Sequence, residues 1–512
     1  MAVASTPIDL VELTVEQVQA AFANGTLTSE ALTQAFLKRI ADFDSRYNAI
    51  IFLNPNALSD ARASDKRRAA GSVIGPLDGV PVVVKDPMDM VGFPTTAGWT
   101  LLHSKTGGID LMPASDSPVV ARMKAAGTVI LGKTNVPSLS HTGSHANDSW
   151  AGPTYNSAGR DFLPGGSSAG TATAVGASMA VLGLAEETGG SIQNPASAQG
   201  LVGIKPTFAL VPNAGVMPLS SNRDVVGPIA RCVRDAALTL DVLAGYTAED
   251  PKTIAGVGHK PKGGYTARLH KDALQHKRIG LYGSGWRNLP LSAEATQLYR
   301  GAQSELEQLG AHLIDDPFKN SGFADLRQPT PPLTEFDARG MESIPYDLDQ
   351  YLRRLGPNAA LKSFVEFAAA TAAQNPFEKG GVLQYMPNLP DFNACLADPT
   401  RPPMLPDFVA ARESYLEIFN EVMEREKLDA LIFPQMRDAL SPLHGSDTIH
   451  ETTVCEINIA GLPGVTVPAG YYASGAPFCL IVLGRQWSEA DLLAYAYAYE
   501  QSTRHRRAPV LD

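Results

Sequence analysis

The chain has 512 residues, of which 44% are hydrophobic and 19% are charged, and its formal net charge is −11. This composition predicts a large buried core, and the negative charge disfavours nonspecific binding to nucleic acid or to anionic lipid. We expect neither a signal peptide nor a membrane span, because acidic residues interrupt the N-terminal segment and no apolar run is long enough. The four cysteines have no CxxC or Cys–His spacing, so we expect no disulfide scaffold, no structural zinc and a cytoplasmic location.

Helical and extended patterns alternate along the chain. Residues 14–44 predict two amphipathic helices, and Thr28 is placed to cap the second. Further on, short β-rich runs alternate with helical patterns, which predicts a layered α/β core. The run 172–185 is rich in small residues and is interpreted as a close-packed core helix. The predicted strands are 81–84, 128–131, 279–282, 431–433, 465–467 and 478–483, and the clearest later helices are 119–126 and 490–500.

Two serines and a lysine stand out from the rest of the sequence. Ser167 lies in PGGSSAG and Ser191 in ETGGSIQNP, 24 residues apart. Lys85 follows an apolar run, which is an unusual place for an ammonium group unless it has partners. Taken singly, a GGSS turn is more often a tight loop, and such a lysine more often has a solvated head group. The three motifs in this order favour a shared chemical role.

The chemistry follows from what each of these groups lacks. A serine hydroxyl is a weak nucleophile until a base takes its proton, and Lys85 can act as a base only if its pKa is lowered. Gly189 and Gly190 remove the Cβ atoms just before Ser191, so a substrate carbonyl can approach the main chain there. Backbone N–H groups of this turn could then stabilise a developing oxyanion.

These motifs resemble the amidase signature family of serine hydrolases, in which a lysine after a short strand precedes GGSS[AG]G and a GGS nucleophile turn. The similarity extends to PVVVKDPMDMVGFPTTAG (81–98), GKTNVPS (132–138), GLVGIKPT (200–207) and RDVVGPIARCVRDAA (223–237). A C-terminal block is similar to the segment by which the family's chain returns to its core. The resemblance covers residues 70–245 and 425–500.

The resemblance implies a role for each matching residue. Ser191 would be the nucleophile that accepts the acyl group, Ser167 the bridging serine, and Lys85 the terminal base. A cis peptide bond would precede Ser167, and Ser168 would support Lys85 by a hydrogen bond. No metal and no cofactor are implied. The oxyanion hole would be formed by the backbone N–H groups of Thr188, Gly189, Gly190 and Ser191.

The resemblance also implies the fold, an α/β architecture with a central mixed β-sheet sandwiched between helices. We expect a single amidase domain in four parts. Residues 1–70 would form N-terminal helices, 71–247 the signature core, 248–427 a variable cap, and 428–512 the return to the core. The cap contains proline-rich connections, and five aromatic residues and a methionine that could line a pocket. These candidates are Phe336, Tyr346, Tyr351, Phe364, Tyr385 and Met386.

Two positions depart from the family pattern. Many members have Asp four residues before the nucleophile and Arg two residues after it, whereas this chain has Glu187 and Gln193. Neither Gln193 nor the following Asn194 carries the cationic fork that suits a carboxylate. The sequence therefore favours a neutral substrate.

Three further residues are candidates for substrate binding. Ser140, His141 and Thr142 fall near the place where relatives have residues that flank the scissile carbonyl. His141 is not assigned a catalytic role, because the chain has no G-x-S-x-G elbow and no evident acidic partner for it. The polar loop that follows, with His145 and Asp148, lacks the convergent spacing of a metal site.

Three functions remain open from the sequence. The first is a metal-independent hydrolase of neutral aryl, alkyl or peptide-type amides, an amidohydrolase that acts on C–N bonds other than peptide bonds. The second keeps the same nucleophile but cleaves carbamates, cyclic or oligomeric amides, or esters. The third is a component of a transamidating complex, against which Gln193 and Asn194 count. For the enzyme we expect a small-molecule amide or carbamate as partner, no nucleic acid, no membrane, and a monomer or homodimer.

Overall fold

Short apolar runs form the strands of one large sheet. The computed structural model describes residues 8–326 and 336–512. Within these residues the sheet has 11 strands, and in its middle part every strand residue is buried, as apolar runs without alternation predict. The strands are β1 (Ile50–Leu53), β2 (Pro81–Lys85), β3 (Val129–Thr134), β4 (Leu182–Glu187), β5 (Val202–Lys205), β6 (Val225–Ala230), β7 (Arg278–Leu281), β8 (His312–Ile314), β9 (Ala430–Pro434), β10 (Gly464–Tyr471) and β11 (Pro477–Leu483).

The sheet is mixed, with the strand order β1-β3-β2-β4-β6-β5-β10-β11-β9-β7-β8. β2 is parallel to both β3 and β4, and β7 is parallel to both β8 and β9, while the other neighbours are antiparallel. The six strands expected from the sequence are all present. The expected α/β fold with a mixed sheet is confirmed.

Helices cover this sheet. The helices are α1 (Val15–Ala23), α2 (Ser29–Tyr47), α3 (Ala57–Ala69), α4 (Pro118–Ala125), α5 (Ala169–Gly176), α6 (Gln193–Ala198), α7 (Val233–Leu243), α8 (Ala293–Gln308), α9 (Ile344–Arg354), α10 (Phe364–Ala370), α11 (Phe392–Ala397), α12 (Pro406–Arg425), α13 (Cys455–Ile459) and α14 (Glu489–Thr503). α5 and α6 pack against β4 and β5, whereas α7 and α14 contact each other and pack against β6 and β10.

The two N-terminal helices form as the sequence predicts. The Thr14 side chain caps α1 in a reciprocal arrangement with Gln17, and the Thr28 side chain accepts a hydrogen bond from the N–H of Ala31 at the start of α2. Among the described residues, no helix is both long and apolar enough to cross a membrane.

The segment 172–185 differs from its interpretation as one helix. It holds the end of α5, a tight connection and the start of β4. Ser178 in the connection has a φ of 55°, a left-handed conformation that ends the helix. Because both elements are completely buried, neither shows the alternation by which sequence patterns separate a strand from a helix.

The segment 248–427 is also not wholly a cap. β7 and β8 lie within it and extend the central sheet beyond β9, so residues 278–314 belong to the core. Residues 341–392 instead form a second apolar core against residues 97–111 and Met217. We therefore restrict the name cap to residues 337–405.

Candidate active site

The apolar run before Lys85 forms a buried strand inside the sheet, and this strand places Lys85 in the protein interior. It is the last residue of β2, which lies between β3 and β4, and all residues of β2 are buried. The Lys85 side chain has no exposed surface. An ammonium group in this position needs partners within the protein.

Ser167 and Glu186 are the polar partners of the Lys85 ammonium group. Its Nζ donates to the Ser167 hydroxyl at 2.7 Å and to the backbone carbonyl of Glu186 at 3.2 Å. The Glu186 carboxylate forms an ion pair with the same Nζ. Burial lowers the pKa of Lys85 below the ordinary lysine value, and Glu186 opposes this effect. The predicted base therefore contacts the predicted bridging serine.

Glu186 is a functional candidate that the sequence reasoning missed. It is 4% exposed, and the parallel pairing of β2 with β4 brings it next to Lys85. The sequence held a signal, because a second carboxylate beside Glu187 in an apolar strand needs a partner. The family pattern draws attention only to Glu187, as the position that departs from it.

The segment around Ser167 is fixed by backbone contacts. The Gly166–Ser167 peptide bond is cis, as the resemblance implies. The Gly166 N–H donates to the carbonyl of Gly143 at 2.8 Å. The Ser168 hydroxyl donates to the Glu186 carbonyl at 3.1 Å, and not to Lys85 as expected. Ser168 and Lys85 thus share one acceptor, so any support from Ser168 is indirect.

Ser191 lies on the turn between β4 and α6 and is 5% exposed. Gly190 in this turn has a φ of 92°, which glycine adopts readily. Among the residues that the structure describes, the N–H groups of residues 188–191 donate to no acceptor, which is what an oxyanion hole requires. The Ser191 hydroxyl has no hydrogen-bond partner in the same part of the chain. Its link to Ser167 stays a prediction.

A buried carboxylate holds the residues that follow Ser191. Glu187 accepts hydrogen bonds from the N–H groups of Ile192 at 2.7 Å and Gln193 at 3.1 Å. Its second oxygen accepts from the side chains of Gln193 at 2.5 Å and Asn458 at 2.8 Å. Four donors on one fully buried carboxylate fix the start of α6, and with it the Ser191 turn.

This network corrects the argument for a neutral substrate. Gln193 is fully buried, contacts Glu187 and Gln435, and does not line the cavity beside Ser191. The residue at this position therefore says nothing about the charge of the substrate. Asn194 does line the cavity, and its side chain donates to the carbonyl of Gly143 at 3.2 Å.

A cavity of about 430 Å³ opens beside Ser191. Arginines are prominent in its wall, and Tyr385 is the one Phe, Tyr or Trp ring in it among the described residues. Of the other expected lining residues, Tyr351 donates to Asp89 at 2.8 Å, and Phe364 and Met386 are buried in the core of the cap. The predicted binding residues Ser140, His141 and Thr142 lie along the cavity with Thr188 and Gly189 of the predicted oxyanion hole.

His141 has an acidic neighbour that the sequence did not reveal. Its Nδ1 lies 2.8 Å from the carbonyl oxygen of Ser138 and 3.6 Å from the carboxylate of Asp148. The ring nitrogen is thus engaged by its own loop. Within residues 8–326 and 336–512, no three His, Cys, Asp or Glu side chains gather as they would around a metal ion.

Comparisons with known proteins show which family and fold this chain resembles. A model of the amidase family matches residues 31–325. The chain is 32% identical to a glutamyl-tRNA(Gln) amidotransferase subunit of Moorella thermoacetica, over 98% of this chain and 99% of that protein. The native peptide amidase from Stenotrophomonas maltophilia is similar in structure, with a TM-score of 0.81 and 33% identity over 98% of this chain and 99% of that one. An amidase family protein from Bacillus anthracis gives a TM-score of 0.79 at 27% identity, with 98% and 93% covered.

Proposed function

The chain belongs to the amidase signature family of hydrolases, and from this premise we propose that it cleaves the C–N bond of a carboxylic amide through an acyl-enzyme on Ser191. One observation carries the proposal. A buried lysine of lowered pKa donates to Ser167, close to a turn whose free amides flank Ser191. The expected preference for neutral amides, which was argued from Gln193 and Asn194, is not kept, because Gln193 does not line the cavity and four arginines do.

In the proposed reaction, Ser191 Oγ attacks the carbonyl carbon while its proton passes to Ser167, whose own proton passes to Lys85. The electron pair of the carbonyl moves to oxygen, where the N–H groups of residues 188–191 stabilise it. The C–N bond then breaks, and the proton returns through Ser167 to the leaving nitrogen. Water attacks the acyl-enzyme by the same relay, which releases the carboxylic acid and restores Ser191.

The same nucleophile could also cleave carbamates, cyclic or oligomeric amides, or esters. A panel of anilides, primary amides, peptide amides, carbamates and esters, followed by mass spectrometry, distinguishes them. Cleavage of amides at a rate at least comparable to that of carbamates supports the proposal. Cleavage of carbamates alone would show that the enzyme is a carbamate hydrolase and not an amidase.

A second candidate, a component of an amidotransferase complex, is favoured by the 32% identity to the amidotransferase relative. If this candidate is correct, the isolated chain should turn over amides poorly, and a stoichiometric partner should co-purify from the native cells. Rapid amide hydrolysis by the pure chain, with one component in size-exclusion chromatography, favours the hydrolase.

The first prediction concerns the nucleophile. Ser191→Ala removes the attacking oxygen and should reduce amide hydrolysis by roughly three orders of magnitude or more, with an unchanged circular dichroism spectrum. A fluorophosphonate should add its mass to the peptide that contains Ser191 in the wild type and not in the variant.

Ser144→Ala is the matched control, because this serine also lines the cavity but is not assigned to the relay. It should retain labelling at Ser191. Labelling of Ser167 or His141 in the wild-type protein would refute the assignment.

A further inference from the structure

The cavity beside Ser191 is strongly cationic. Of the described residues that line it, four are arginines and one is a carboxylic acid, Glu451. Burial raises the pKa of Glu451, and one carboxyl group cannot compensate four guanidinium groups. The arginines are Arg223, Arg287, Arg339 and Arg437.

Arg287 differs from the other three. It donates to both carboxylate oxygens of Glu456, at 2.8 Å and 2.7 Å, and to the carbonyl of Glu451 at 3.0 Å. Its charge is therefore compensated within the wall of the cavity. Among the described residues, no carboxylate lies within 4.0 Å of the guanidinium groups of the other three arginines.

Arg223 lies directly beside the Ser191 turn. Its Nη1 donates to the carbonyl of Thr188 at 3.2 Å, and a Cβ placed on Gly189 would be 3.8 Å from the same nitrogen. Its Nη2 faces the thioether of Met341 at 2.9 Å, a weak acceptor, and its Nε has no partner in the described part of the chain. Burial lowers the pKa of Arg223 to about 10, so this group remains charged at neutral pH.

Arg339 comes from a different element and contacts the side chain of Tyr385, yet it too has buried nitrogens that lack a hydrogen-bond partner within the described ranges. Its Nε and Nη2 are buried without a hydrogen-bond partner among the described residues, and its guanidinium lies 5.7 Å from the ring centre of Tyr385. Asp337 accepts from the Arg339 backbone N–H at 3.1 Å but forms no ion pair with the guanidinium. Arg437 adds a third buried Nε without a partner in the described ranges, from the loop after β9.

We propose that the substrate carries a carboxylate near its scissile amide, and that Arg223 and Arg339 bind this carboxylate, with Arg437 adding positive charge. This inference rests on the proposed function. Guanidinium nitrogens that are buried without a hydrogen-bond partner are unfavourable in the free protein, and an entering anion offsets that cost. The planar fork of an arginine matches a carboxylate in two hydrogen bonds. The substrate class is a monoamide of a dicarboxylic acid or an N-acyl amino acid.

Two pairs of substrates test the charge and its position. In the first, the mono-4-nitroanilide of glutaric acid is compared with hexanoyl 4-nitroanilide, so the carboxylate is on the acyl part. In the second, N-hexanoylglycine is compared with N-propylhexanamide, so the carboxylate is on the amine part. In at least one pair, the amide bond of the substrate that carries the carboxylate should be cleaved with a kcat/KM roughly tenfold or more above that of the neutral substrate. Equal or faster cleavage of the neutral partner in both pairs overturns the proposal.

Variants identify the groups responsible. In Arg223→Gln and in Arg339→Gln, the ratio of kcat/KM for carboxylate over neutral substrate should fall roughly tenfold or more. Arg62→Gln removes an exposed arginine that pairs with Glu30, and it should leave both rates unchanged. An unchanged ratio in both cavity variants refutes the assignment, and either variant suffices if the other does not fold.

A test without turnover separates this inference from the proposed function. Glutarate should slow the labelling of Ser191 by a fluorophosphonate, and more weakly so in Arg223→Gln, whereas hexanamide at the same concentration should have a smaller effect. Labelling of Ser191 without protection by glutarate overturns the carboxylate proposal alone. Absence of Ser191 labelling overturns the proposed function.

Discussion

At the scale of single residues, Lys85 and Glu186 have opposite effects on the proposed base. Burial favours the neutral amine, whereas the Glu186 carboxylate in contact with Nζ favours the ammonium form. Glu187 and Asp224 act in the same direction as Glu186 from further away. Since Lys85 accepts a proton only when neutral, Glu186 should restrict the relay at low pH.

A prediction about pH follows from this pair. The kcat/KM for a non-ionising amide should rise with pH as Lys85 loses its proton. Glu186→Gln removes the charge that favours the ammonium form, so the pKa of Lys85 should fall and the acidic limb should move to lower pH. The measurement is the pH profile of kcat/KM for wild type and variant.

Burial raises the pKa of Asp224 to about 7, so the titration of Asp224 can contribute to the acidic limb of the pH profile in both the wild type and Glu186→Gln. The decisive quantity is therefore the shift between the two profiles. Lys85→Ala is the control and should lose most amide hydrolysis. A limb that stays in place in Glu186→Gln, or moves to higher pH, would show that Glu186 does not set the protonation of the base.

At the scale of elements, the site depends on how β4 leads into α6. Four hydrogen bonds converge on Glu187 and hold the first residues after the Ser191 turn. Asn458 belongs to α13, so this one carboxylate also ties the C-terminal return to the signature core. The turn is therefore placed by buried polar contacts as well as by its glycines.

Glu187→Gln tests this function of the strand and turn. In Glu187→Gln, an NH2 group replaces one carboxylate oxygen and cannot accept a hydrogen bond. The buried N–H donors that face it then lack an acceptor, and each costs about 1–3 kcal/mol of folding free energy. We expect a loss of roughly 2–4 kcal/mol in the free energy of unfolding, measured by chemical denaturation, and slower labelling of Ser191 by a fluorophosphonate. Glu16→Gln, at an exposed position of α1, should change neither quantity. Unaltered stability and labelling in Glu187→Gln would exclude a positioning role.

The mixed α/β fold, six of the 11 strands in the described residues and the key residues of the site could be predicted from the sequence, whereas their buried carboxylate partners could not. The order of Lys85, Ser167 and Ser191 is visible in local motifs because each has its own glycine or apolar context. The contact of Glu186 with Lys85 depends on the pairing of β2 with β4, across about 100 residues of chain. The interpretation of Gln193 was wrong because a helix start can face either the core or the cavity, and the local sequence does not say which.

At the scale of the whole molecule, the cap completes the cavity. It supplies Arg339, Met341 and Tyr385 to the wall. An apolar cluster joins it to the signature core, and Arg354 of the cap forms an ion pair at 3.2 Å with the buried Asp89 of the core. The sequence predicted a wall-forming insert here, but it did not separate β7 and β8 from the cap. Pattern alone cannot assign such short strands to a distant sheet.

The attachment of the cap to the core leads to the last prediction. Phe367 on α10 is 1% exposed, and its ring centre lies 5.9 Å from that of Trp99 in the core. Phe367→Ala should leave a void at this junction and reduce the free energy of unfolding by about 3–5 kcal/mol. Because the cap carries Arg339 and Tyr385, its loosening should raise KM for an amide more than it slows the labelling of Ser191 by a small fluorophosphonate.

Val365→Ala is the matched control, since this residue lies on the same helix with 66% of its surface exposed. It should preserve stability, KM and labelling. Unfolding in urea, steady-state kinetics and the labelling rate measure the three quantities on one preparation. If Phe367→Ala lowered stability but left KM unchanged, the cap would be a structural attachment that does not shape the cavity. A rise in KM matched by an equal slowing of labelling would instead show that the Ser191 turn itself depends on the docking of the cap.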